Sequence, residues 1–111
     1  MGQGDHLGEF EALVLTAVIR VGDAANGTAI FRELEARSAR EASLPAIHVT
    51  LRRLEEKRLL RSETGVPSPR GGRPRRYYRP TSEGVQALKA FRDMWRGLWK
   101  GMELPDPETL S

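Results

Sequence analysis

The chain has 111 residues, 30% charged and 39% hydrophobic, with a formal net charge of +3 and no cysteine. Such a composition describes one globular domain with a modest core, close to the size at which a second copy helps to bury apolar surface, and excludes both a disordered segment and a disulfide scaffold. The missing thiols also exclude thiolate zinc sites and a cysteine nucleophile. They fit a reducing cytoplasm, where a soluble protein is expected: no apolar run approaches the ~18 residues of a membrane helix, and the segment from Met1 to His6 lacks the basic-then-apolar order of a signal peptide.

In chain order, Phe10, Leu13, Val14, Ala17, Val18 and Val21 recur at spacings of three and four, which predicts a helix over 8–21. Leu15 and Ile19 widen its apolar stripe, so it should be buried on more than one side. Gly22-Asp23 breaks the pattern, and Asn26-Gly27-Thr28 restarts it with capping chemistry ahead of a short amphipathic helix, Thr28 to Arg37, with Ile30, Phe31 and Leu34 inward. Ser43 is the expected N-cap of a third helix, with Pro45 in its first turn, where a missing N–H removes no bond. Its buried stripe is Ile47, Leu51 and Leu54. The opposite face carries Pro45, Ala46, Val49, Arg52, Arg53 and Glu56, with His48 at the flank: small and apolar first, doubly cationic one turn later. A helix presented to a DNA major groove needs that order, short side chains at the close approach and arginine where guanine edges or phosphates lie.

Two short strands follow, Leu59 to Thr64 and Arg75 to Arg79, separated by a turn-rich link. Alternation puts Arg76 and Tyr78 on one face and Arg75, Tyr77 and Arg79 on the other, with one tyrosine inward. Arg70, Arg73, Arg75, Arg76 and Arg79 fall within ten residues that hold no acid, and the whole span from Arg52 to Arg79 carries about +7 while the remainder is net acidic. Guanidinium forks at that density suit phosphate oxygens or a narrow, negative groove. Thr81 should then cap a long fourth helix, Ser82 to about Met102, in which Leu88, Phe91, Trp95, Leu98 and Met102 form a heptad seam too short for a free coiled coil and therefore due to pack on other protein. Leu104-Pro105-Asp106-Pro107 is expected to end it. The fold class is mainly α (α+β): a winged helix-turn-helix over 7–80 with a two-stranded wing, a C-terminal dimerisation helix over 81–103, and flexible termini, 1–6 and 104–111.

Three stretches carry a family resemblance. Leu7-Gly8-Glu9-Phe10-Glu11-Ala12-Leu13-Val14-Leu15, Leu51-Arg52-Arg53-Leu54-Glu55-Glu56-Lys57, and Gly72-Arg73-Pro74-Arg75-Arg76-Tyr77-Tyr78-Arg79 with Thr81-Ser82-Glu83-Gly84 are similar to the first helix, the end of the recognition helix, and the wing with the start of the fourth helix in PadR-like winged helix-turn-helix transcriptional regulators, in their short form with a single C-terminal helix. The chain departs from the family at three places. His48-Val49-Thr50-Leu51 stands where Tyr-Pro-Thr-Leu is usual, Asn26 replaces a tyrosine before the glycine of helix 2, and Arg58 replaces a glycine at a left-handed position, at a cost of about 1 kcal/mol. The resemblance implies a bacterial regulator and, in some relatives, a planar or cationic compound held between two subunits.

The expected function is sequence-specific binding of double-stranded DNA by a homodimeric repressor on an inverted repeat. Base readout falls to Ala46, His48, Val49, Arg52 and Arg53, and the grip on phosphates or a minor groove to Arg70, Arg73, Arg75 and Arg76. Leu88, Phe91, Trp95, Leu98 and Met102 are the dimerisation residues. Trp95 and Trp99, one turn apart, are either packing residues or the walls of a site for a planar aromatic effector. No catalytic constellation, phosphate-cradling glycine loop or cofactor is expected, and no metal, since His48 has only His6 as a second imidazole. The alternative is a winged-helix protein-interaction module whose basic surface is incidental.

Overall fold

Helix α1, Glu9–Val21, begins where Gly8 breaks the chain into extended backbone and the Glu11 carboxylate reaches back one turn to accept the Gly8 N–H at 2.8 Å. The structure, a computed structural model, describes residues 6–38, 40–65, 71 and 74–110. α1 buries Ala12, Val14, Leu15, Ala17 and Val18, a stripe wider than one face, as its composition predicts, but Ile19 faces solvent. A single 3-10 turn, Gly22–Ala24, leads to α2, Gly27–Arg37, whose N-cap is Asn26: its side-chain oxygen accepts the Ala29 N–H at 2.9 Å. α3, Leu44–Glu56, starts on Ser43, which accepts the Ala46 N–H at 3.2 Å. It ends in a left-handed turn at Arg58 (φ 64°), where the Leu59 N–H reaches the Leu54 carbonyl and the Arg58 N–H that of Glu55, both at 2.9 Å. That pair of bonds satisfies the last carbonyls of the helix and holds a non-glycine residue where glycine is preferred.

Strands β1, Leu60–Thr64, and β2, Arg76–Pro80, pair antiparallel with Ser62 opposite Tyr78. Tyr78 is the inward tyrosine, and its N–H donates to the Ala25 carbonyl at 2.9 Å, pinning the wing to the start of α2. The core lies between α1, α2 and α3 and the base of the hairpin, with Leu15, Ile30, Ile47, Leu51, Leu54 and Leu59 fully enclosed. An ion pair closes its edge: Lys57 Nζ, past the end of α3, lies 2.9 Å from each oxygen of the buried Glu11 carboxylate and also donates to the His6 carbonyl. Burial pushes the Glu11 pKa up, but the Gly8 N–H, Lys57 and, more distantly, Arg53 outweigh it and hold the carboxyl below its ordinary value.

α4, Ser82–Trp99, is joined to this body by a tight knot. Thr81 donates its hydroxyl to the Arg58 carbonyl (2.7 Å), accepts the Gly84 N–H (3.0 Å), and donates its own N–H to the Leu59 carbonyl (3.2 Å). Gly84 sits so close to Leu59 that a Cβ there would meet the Leu59 carbonyl oxygen at 2.0 Å. The helix stops three residues short of the expected Met102, because Gly101 takes φ 73° and the Lys100 N–H turns back onto Arg96 and Gly97. Glycine past the last turn, and not the prolines further on, is the terminator. Of α4, only Gly84 is buried, Ala87, Leu88 and Phe91 pack half-buried against the core, and everything from Arg92 to Leu110 is exposed. The radius of gyration, 16.7 Å, accordingly exceeds the roughly 13 Å of a compact domain this long. Among the described residues no helix is long and apolar enough to cross a membrane.

Candidate nucleic-acid interface

Because α3 buries Ile47, Thr50, Leu51 and Leu54, its remaining positions are turned outward, and Ala46, His48, Val49, Arg52 and Arg53 are all exposed. Val49 keeps 51% of its surface, an aliphatic side chain in open water on a face otherwise polar or small. Arg75 and Arg76 are exposed on the wing; Arg70 and Arg73 lie outside the described residues.

The wing and α3 meet around a hollow of about 200 Å³. Asn26, Gly27 and Thr28 line it from the start of α2, His48 from α3, and Arg75, Arg76 and Tyr78 from the wing. His48 lies directly over Gly27, where a Cβ would come within 2.6 Å of the imidazole. The expected flank position of His48 thus becomes a contact between two helices, and the start of α2, which the sequence marked only as a cap, joins the cationic surface. The first turn of a helix carries partial positive charge, so the start of α2 and the wing arginines present the same sign to the hollow, which the His48 imidazole also lines.

A relay of polar groups fixes the wing on α3. Arg76 donates to the Ser62 hydroxyl at 2.8 Å, and that hydroxyl donates to the Glu55 carboxylate at 2.6 Å. Glu55 and Ser62 are positioning residues that the sequence did not reveal, since Glu55 reads as an ordinary helix charge beside Arg52. Tyr78 lies inside this cluster. Burial, reinforced by Glu55, pushes its phenol up, with Arg76 and Arg52 pulling the other way, and the hydroxyl stays neutral at any physiological pH.

The α4 seam divides at Phe91. Leu88 and Phe91 pack against the chain's own core, whereas Trp95 (45%), Leu98 (66%) and Met102 (47%) are exposed, and Met102 lies beyond the end of the helix. Between α1 and α4 runs a groove of about 1060 Å³, walled by Leu13, Val85, Leu88, Phe91 and Trp95 and rimmed by Arg40, Lys89 and Arg92. Trp95 and Trp99 contact each other, with ring centroids 6.5 Å apart and planes at 43°. Only Trp95 lines the groove; Trp99 borders a second opening with Asp93, Arg96, Gly97 and Lys100.

Residues 14–90 match the transcriptional regulator PadR-like family. No curated protein sequence matches the chain. Among solved structures, a PadR family transcription regulator from hypervirulent Clostridium difficile is 26% identical with a TM-score of 0.72, over 84% of this chain and 93% of that one. A PadR family transcriptional regulator from Eggerthella lenta is 29% identical with a TM-score of 0.66, over 84% and 81%. F93 from STIV, a winged-helix DNA-binding protein, shares the fold alone, with 13% identity and a TM-score of 0.68 over 88% and 99%. With its family match spanning most of the sequence and a winged-helix fold shared with these regulators, the chain belongs to the PadR-like family of transcriptional regulators, which are not enzymes.

Proposed function

We propose that the protein is a homodimeric repressor that occupies an inverted repeat in double-stranded DNA and blocks transcription by occlusion, in the cytoplasm of a bacterial cell. The observation that carries this reading is the convergence of His48, the wing arginines Arg75 and Arg76 and the start of α2 on one hollow, on an α3 that also exposes Ala46, Val49, Arg52 and Arg53. α3 enters the major groove. Ala46 allows close approach, Val49 suits a thymine methyl, and Arg52 and Arg53 suit guanine edges or phosphates. His48 donates to a base or phosphate next to the first turn of α2. Arg75 and Arg76, together with Arg70 and Arg73, hold the backbone or reach into a minor groove.

Dimerisation through α4 is supported by its exposed Trp95 and Leu98 and by Met102 just past its end, and a two-fold pair would set the two α3 helices on half-sites about 34 Å apart. Where two copies meet, a gap at the two-fold axis flanked by the two copies of Trp95 or Trp99 is a fitting place for a planar aromatic effector, which would alter operator affinity by changing how the subunits sit. Capture of genomic fragments by the protein at moderate salt, followed by sequencing, tests the function. A shared inverted repeat among the enriched fragments is the expected result, and enrichment of no sequence over background contradicts it.

A further inference from the structure

The C-terminal arm is an apolar stretch that the chain's own fold leaves uncovered. Trp95, Leu98, Trp99, Met102, Leu104 and Leu110 keep between 45% and 68% of their surface. The stretch past α4 has a defined shape: Gly101 turns the chain, and Asp106 caps a 3-10 turn at Pro107–Thr109, accepting the Glu108 N–H at 3.0 Å. Over 102–110 this tail carries Glu103, Asp106 and Glu108 and no lysine or arginine.

α4 has the opposite charge. It bears Lys89, Arg92 and Arg96, with Lys100 at its end, against Glu83 and Asp93. Two such helices brought together about a two-fold axis set like charges beside one another, which opposes the association that their apolar seam favours. On the rim of the apolar α1–α4 groove Arg92 pairs with Asp93 at 3.0 Å and Arg40 with Glu9 at 2.7 Å, whereas Lys89 makes no ion pair among the described residues.

We propose that the tail of each subunit is a strap that crosses to the second copy and lies along its α1–α4 groove, with Leu104 on the apolar wall and Glu103 and Asp106 against Lys89 and Arg92. The strap supplies the counter-charge that two cationic α4 helices lack, and it covers apolar surface that one chain leaves wet. Nine residues reach at most about 30 Å, and the groove between Val85 and Trp95 is about 15 Å of helix, so the tail is long enough. The strap rests on the α4 homodimer inferred above, and the two ideas fail differently.

The absence of cysteine from the full chain makes the contact directly testable. Chains carrying Lys89→Cys are mixed with chains carrying Glu103→Cys and oxidised; along one chain about 15 Å of helix separates the two positions, beyond disulfide reach. A mixed disulfide dimer is expected, in clear excess over either variant alone. Sedimentation of the full chain and of a chain ending at Gly101 gives the second readout. Loss of the tail should weaken dimerisation at least 10-fold and reverse its salt response, because added salt screens attraction in the full chain and residual helix–helix repulsion in the shortened one. Equal affinity and equal salt response, with no mixed disulfide, overturns the strap and leaves the dimer intact. A full chain that stays monomeric at every concentration overturns both.

Discussion

Two glycines in α4 give a sharp test of how the fourth helix is mounted. Glycine to alanine inside a helix ordinarily gains about 1 kcal/mol from backbone entropy. At Gly97 no atom lies within 4 Å of the new Cβ, and the position is turned away from the seam, so Gly97→Ala should stabilise by up to ~1 kcal/mol. At Gly84 the same methyl falls 2.0 Å from the Leu59 carbonyl oxygen and 3.0 Å from its carbon. Leu59 is fully buried and its carbonyl also accepts the Thr81 N–H, so the backbone cannot yield and α4 must back away. Overpacking of this kind costs about 1–3 kcal/mol and sometimes more, and retreat of the helix also strains the Thr81 bonds, each worth about 1 kcal/mol. The sum outweighs the propensity gain. Gly84→Ala should lose about 2–4 kcal/mol, a fall in Tm of roughly 10 °C or more, while Gly97→Ala rises by a few degrees. Thermal and urea melts at matched chain concentration measure both. Shifts of the same sign in the two variants would refute the reasoning.

Arg75→Ala or Arg76→Ala should weaken binding to all DNA sequences alike, whereas Arg52→Ala should also relax preference at particular bases; competition with scrambled operators separates the two. Leu98→Glu should give monomers by sedimentation, since it places a charge where the account needs apolar burial. The lowered Glu11 pKa contributes stability that is present above the unfolded carboxyl value of about 4.3 and is lost as pH falls through the folded value. Glu11→Gln should therefore be less stable than wild type at pH 7, with the gap in Tm closing as pH falls below the unfolded carboxyl value. A planar aromatic dye that enters a gap at the dimer axis should quench Trp95 or Trp99 and lower operator affinity, and operator DNA should weaken the dye by the same factor; a dye screen without quenching or operator release assigns both tryptophans to packing.

Local chemistry was legible in the sequence and long-range pairing was not. Asn26, Ser43 and Thr81 act as caps because a short polar side chain needs only its own helix to accept an N–H, and Arg58 is left-handed because the preceding helix must close its carbonyls. The apolar stripes of α2 and α3 turned inward as their period required. By contrast, the Glu11–Lys57 pair joins positions 46 apart, and the Glu55–Ser62–Arg76 relay joins α3 to both strands. No periodicity announces either. The outer limit of α4 was set by Gly101, which competed with more conspicuous prolines, and the inner part of its heptad seam, Leu88 and Phe91, met α1 within the chain before any second copy could claim it. Ile19 shows the same limit in reverse, an aliphatic residue in a helical period with nothing packed over it. At the candidate interface the α3 and wing residues were readable from charge and order, while the part played by the start of α2 depended on His48 reaching Gly27 across two helices.

The central claim is that this cationic surface binds DNA through its phosphates. Fluorescence anisotropy of the protein on a labelled duplex recovered by genomic capture, repeated from about 50 to 200 mM salt, measures it most directly. Two subunits each displacing several counterions predict a log–log slope of roughly −5 to −8, shallower when Arg75 and Arg76 are both alanine. Binding that is insensitive to salt, or unchanged in that double variant, would contradict the account.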